Sequence, residues 1–76
     1  MQAPQNCLVQ PADQCRAAIF ESLGHIRLFA EAAQLHLEAG DDHGARYSVG
    51  KMIAHVKVAA RTADDLEAIH SGGGGK

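Results

Sequence analysis

The chain has 76 residues, enough for one small domain, and chains of this length usually need disulfides, a metal or a partner to be stable. Its formal net charge of −2 argues against a surface tuned throughout for nucleic acid or an anionic membrane. The two cysteines, Cys7 and Cys15, are too few for a disulfide framework or a zinc site, and no apolar run approaches the roughly 20 residues that cross a bilayer.

The first ten residues have no sustained hydrophobic period. They contain Pro4 and four Gln or Asn side chains, so we predict a flexible N-terminal arm over residues 1–10. The arm also lacks the basic segment and apolar run of a signal peptide. We therefore expect a cytoplasmic protein with reduced thiols and no membrane contact.

The first helix is predicted over residues 11–39. Pro11 suits the first helical position, where the missing N–H has no intrahelical partner. Gly40 suits the left-handed position that ends many helices. A long helix of period 3.6 is therefore expected up to this glycine.

A second helix is predicted over residues 43–70. Asp41 or Asp42 can accept hydrogen bonds from its first free N–H groups. The three-residue connection 40–42 then makes the two helices antiparallel neighbours. Ser71 and the glycines that follow end the helix and predict a flexible Gly-rich tail over residues 71–76.

Each helix carries an apolar stripe with the 4-3 spacing of a helix-packing seam. The stripe in helix 1 comprises Ala12, Cys15, Ile19, Leu23, Ile26, Ala30, Ala33 and Leu37, and that in helix 2 comprises Ala45, Val49, Met52, Val56, Ala59, Ala63 and Leu66. We predict that these stripes face each other. The predicted fold is all-α, an antiparallel two-helix hairpin.

Helix 1 carries a second apolar side that one companion helix cannot cover. It comprises Ala17, Leu28, Ala32, Leu35 and Ala39, with Gly24 beside them. The simplest assembly that covers both sides is a two-fold dimer of hairpins, a four-helix bundle. The alternative is that this side binds a different protein, and both can hold at once.

The surplus of apolar surface favours a non-enzymatic protein that binds and regulates, inhibits or chaperones another protein. The expected contact residues are Phe20, Leu28, Leu35, Tyr47 and Val58. No serine lies in a Gly-rich elbow, and Cys15 falls on the predicted seam, so we expect no catalytic residues. The expected partners are a second copy of the chain and an unidentified protein.

The alternative function is binding of RNA or DNA by the outer side of helix 2. No acidic residue lies between His43 and Ala63, and this stretch supplies four positive charges, at Arg46, Lys51, Lys57 and Arg61. Doubled in a dimer, such a stripe could contact phosphates. The simpler interpretation is a solvated surface whose cations offset the acidic residues of helix 1.

The five histidines raise the question of a metal site. His25 is expected level with His55, and Glu21 lies one turn before His25, which makes only a partial site. Glu67 and His70 have the spacing used by di-metal bundles, but helix 1 has no Glu at the matching level. We therefore predict no metal and no cofactor.

Overall fold

The computed structural model describes residues 11–71. It contains helix α1, Pro11–Glu38, and helix α2, Asp42–His70, which pack against each other as a hairpin. The prediction of an all-α hairpin is confirmed, and each helix boundary at the turn lies one residue earlier than predicted. The proposed arm, residues 1–10, and residues 72–76 of the proposed tail lie outside the described part of the chain.

The turn is built by Gly40, which has the positive φ predicted for it, +77°. The Gly40 N–H donates to the Leu37 carbonyl at 3.0 Å, and the Asp41 N–H donates to the His36 carbonyl at 2.7 Å. These are the two hydrogen bonds of a Schellman motif, which satisfies the last carbonyls of a helix. The direction of the chain is thus reversed by local hydrogen bonds.

The start of α2 is capped by Asp41, one of the two residues predicted for this role. Its Oδ1 accepts a hydrogen bond from the Gly44 N–H at 2.9 Å, and its Oδ2 lies 3.0 Å from His36 Nδ1. A Cβ at position 44 would collide with the His36 ring and the Asp41 carboxylate. Gly44 therefore lets the end of α1 and the start of α2 approach closely.

The seam between the helices differs from the predicted one at regular positions. Fourteen of the buried or half-buried residues follow a 4-3 period: Cys15, Ile19, Ser22, Ile26, Phe29, Ala33 and His36 in α1, and Ala45, Ser48, Met52, His55, Ala59, Thr62 and Leu66 in α2. About half of the predicted stripe lies at these positions. Leu23, Leu37, Val49 and Val56 of the predicted stripe instead lie one place after a seam residue and are 38–59% exposed.

The resulting seam is thin. Its four buried residues are Ser22, Ala33, Ala45 and Ser48, and no large side chain in the described residues is fully buried. Small side chains allow the helix backbones to approach closely but remove little apolar area from water. One polar member is satisfied within its own helix, since the Thr62 hydroxyl donates to the Val58 carbonyl at 2.9 Å. Most Leu, Ile and Val side chains of the described residues remain more than a third exposed.

Candidate interaction surfaces

The hairpin has two sides, which can be identified from contacts between the helices. On one side the rings of His25 and His55 stack, with centroids 4.6 Å apart. On the other side Arg16 NH2 lies 3.5 Å from His70 Nε2. Arg16 directly follows the seam residue Cys15, whereas His25 directly precedes the seam residue Ile26. Residues that follow the equivalent seam positions, every seventh residue from Cys15 in α1 and from Ser48 in α2, therefore share the side of Arg16.

We call this side of the hairpin the apolar face, after the five exposed large aliphatic side chains that lie on it. Each member directly follows a seam residue, and together they are Leu23 (50% exposed), Leu37 (59%), Val49 (38%), Ile53 (46%) and Val56 (45%). Ile53 lies at the edge, toward the outer surface of α2. In an antiparallel pair, residues that follow every second seam position, such as Ser22 in α1 and Ser48 in α2, fall on the same side. One surface thus collects the aliphatic residues that the sequence pattern assigned to the seam.

The outer surface of α1 carries three of the residues predicted to bind a partner. Phe20, Leu28 and Leu35 are 79%, 63% and 58% exposed. Gly24 lies between Phe20 and Leu28, one turn from each, and an added Cβ there would meet nothing within 4 Å. Phe20, Gly24 and Leu28 line one shallow depression. These residues form an apolar strip on α1, which we call the outer strip.

The other two residues predicted for this role lie on the second helix. Tyr47 and Val58 are 63% and 47% exposed, and both belong to α2. The structure therefore does not bring the five residues into one surface. Phe20, Leu28 and Leu35 can contact one partner together, whereas Tyr47 and Val58 lie on a separate helix.

The cations of α2 are exposed, as the sequence suggested. Among residues 11–71, the ion pairs are Arg16 with Asp13, at 2.7 Å, and the contact of His36 with Asp41. None of the four basic residues of the predicted stripe takes part in them. Lys51 instead places its Nζ 5.5 Å from the centroid of the Tyr47 ring, a cation–π contact. In the described residues, none of these cations forms an ion pair with a carboxylate of α1.

A depression of about 410 Å³ opens on the outer surface of α2. It is lined by His43, Arg46, Tyr47, Gly50 and Lys51, so no carboxylate contributes to it. An added Cβ at Gly50 would meet nothing within 4 Å. We call this site the Gly50 depression.

The histidines do not form a metal centre in the described part of the chain. The ring of His55 stacks on His25 and also on Phe29, whose centroid is 5.7 Å away. Residues 11–71 contain no group of three His, Cys, Asp or Glu side chains that could hold a metal ion. The expected partial site at Glu21, His25 and His55 is thus a stack of rings.

Comparisons of the chain with protein-family models, curated proteins and solved structures gave no match. Within the described residues, neither helix combines the length and the apolar character that crossing a membrane requires.

Proposed function

We propose that the chain is a non-enzymatic helical interaction protein that pairs with a second copy through the apolar face and binds another protein through the outer strip. The carrying observation is that five large aliphatic side chains lie exposed on one side of a hairpin whose seam buries only Ala and Ser. Covering the exposed half of such a side chain contributes about 1 kcal/mol. A hairpin with so thin a seam gains much of its stability from a partner that covers them.

A second copy suits the apolar face because a two-fold pair buries the same patch on both molecules. The central residues of the face, Leu23 and Val56, lie near the middle of the helices and meet their own copies near the axis. This pairing places the turns at opposite ends, because only then does each helix lie over its own copy in a face-to-face two-fold pair.

The outer strip remains accessible in this four-helix bundle. Phe20, Leu28 and Leu35 lie on α1 away from the seam, and a helix of the partner protein could pack along them. Gly24 lowers the surface at the centre of the strip, where a side chain of the partner would fit. The depressions lined by described residues are shallow surface features, which supports a binding role over catalysis. The proposed location is the cytoplasm, where a free thiol such as Cys15 stays reduced.

The dimer is tested by light scattering and sedimentation of the protein and two variants. Val56→Asp places a charge at the centre of the apolar face, opposite its own copy, and should convert the dimer to monomer. Leu28→Asp adds the same charge on the outer strip and should leave the dimer intact. A wild-type protein that is monomeric and melts cooperatively at micromolar concentration would refute the dimer, as would a Val56→Asp variant that stays dimeric.

Partner binding is tested by affinity capture from the source cell followed by mass spectrometry. The wild type and Gln34→Asp, which adds a charge elsewhere on α1, should retain a common protein that Leu35→Asp loses. All three must first be shown to have the same mass in solution. Equal recovery of every captured protein by Leu35→Asp would exclude the outer strip as the binding surface.

A further inference from the structure

The Gly50 depression exists because α2 has a glycine where the fold does not require one. Gly50 lies within a helix and has no positive φ. A Cβ added at this position would have no neighbouring atom within 4 Å. Alanine would make the helix more stable at such a position. The packing of the hairpin therefore does not account for this glycine, whereas an external group that approaches the backbone would.

The groups around the depression are cationic or aromatic. Arg46 and Lys51 flank it, His43 lies one turn nearer the start of α2, and Tyr47 presents an exposed ring. Neither Arg46 nor Lys51 forms an ion pair with a described residue. The depression thus offers a flat apolar surface beside free positive charges.

The positive charge continues along the outer surface of α2. Arg46, Gly50, Lys57 and Arg61 recur at helical spacing, with Ala54 between them, so the side chains between the cations are small. At ~1.5 Å per residue, the track from Arg46 to Arg61 is roughly 22 Å long. No acidic residue occurs between His43 and Ala63 to interrupt it. The track lies on the outer side of α2, apart from the centre of the apolar face.

We infer that the Gly50 depression and this track bind single-stranded nucleic acid, with one base against Tyr47 and phosphates on Arg46, Lys51, Lys57 and Arg61. Stacking on an aromatic ring needs an unpaired base, so a duplex cannot use Tyr47 in this way. An acidic protein segment would pair with the cations but would gain little from the ring beside them. The inference does not depend on the proposed dimer or on the outer strip.

The experiment measures fluorescence anisotropy of a short fluorescein-labelled oligouridine titrated with the full chain at low salt. The affinity of the wild type should fall with salt, with a slope of about −0.7 per phosphate contacted, or roughly −2 to −3 for three or four contacts. The double variant Arg46→Glu and Lys57→Glu should weaken binding by at least about tenfold. Arg27→Glu, which removes an exposed cation of α1, is the matched control and should change it little.

Two further variants separate stacking from simple charge attraction. Tyr47→Leu should weaken binding about tenfold, within the range measured for loss of one base–aromatic stack. Gly50→Leu should fill the depression and weaken binding while the helix content, followed by circular dichroism, is retained. Absence of binding at low salt, or equal losses in Arg27→Glu and the double variant, would overturn the inference. So would an acidic peptide that binds as tightly as oligouridine and is unaffected by Tyr47→Leu.

Discussion

The ring of His55 on α2 stacks on the ring of His25 on α1 with the two planes 14° apart. His55 also stacks on Phe29, at an angle of 19°. These are the ring–ring contacts between the helices in the described residues, and they join a seam whose buried members are Ala and Ser. The His55 ring therefore joins α2 to α1 near the middle of both helices by stacking on two rings of α1.

Replacement of His55 should destabilise the hairpin more than replacement of His25. His55→Ala removes two ring contacts and His25→Ala removes one, and each aromatic pair contributes about 0.5–1.5 kcal/mol. Urea denaturation at one fixed protein concentration, followed by circular dichroism, measures both. A larger loss for His25→Ala would contradict the placement of His55 in the seam.

The position of the seam can be tested by adding volume on either side of α2. Ser48 is 4% exposed against α1, so Ser48→Leu should lower the free energy of unfolding by about 1–3 kcal/mol through overpacking. Ala54 is exposed on the outer surface of the same helix, and Ala54→Leu should change stability by less than about 0.5 kcal/mol. Equal effects of the two substitutions on thermal unfolding would show that the seam is placed wrongly.

The helices and the turn could be predicted because their signals are local. Pro11, Gly40 and Asp41 act on the residues next to them, and each takes the role that its chemistry suggested. The seam could not be located fully, because a 4-3 period gives the spacing of a stripe without stating which surface covers it. Pairs such as Ser48 and Val49 differ by only one position. The more apolar member was assigned to the hairpin, whereas it lies on the apolar face.

The candidate surfaces were predictable only in part for the same reason. Exposure of Leu28 and Leu35 follows from their place opposite the stripe of helix 1. The depression at Gly50 depends on the absence of contacts around a helical glycine, and only the packed structure reveals this. A signal for the apolar face was nonetheless present, because the aliphatic residues Leu23, Val49 and Val56 each follow a small or polar residue.

Gly44→Ala should destabilise the protein although Ala favours helices. Its Cβ would displace the His36 ring and the Asp41 carboxylate, with a net loss of about 1 kcal/mol from the disturbed cap. Gly24→Ala is the matched control: its Cβ meets nothing, so the free energy of unfolding should rise by about 0.5–1 kcal/mol. Thermal melts of the two variants should thus shift in opposite directions.

The stability that Asp41 contributes as a hydrogen-bond acceptor can be measured separately from the stability that its negative charge contributes. Asp41→Ala removes the acceptor of the Gly44 N–H and should cost about 0.5–2 kcal/mol. Asp41→Asn keeps a side-chain oxygen at that place and should retain most of the stability. If the Asn variant were as unstable as the Ala variant in urea, the contact with His36 would outweigh the cap.

The connection formed by Ala39, Gly40 and Asp41 determines how α2 is rotated about its own axis relative to α1. No large side chain of the described residues is fully buried in the seam, so the turn has a large share in setting the rotation of α2. Shortening the connection by one residue would rotate α2 by about 100° and bring Val49 and Val56 to the places of Ser48 and His55. The same sequence would then direct larger side chains into the seam and leave a depleted apolar face. The length of this turn thus determines which aliphatic residues face the seam and which lie on the apolar face.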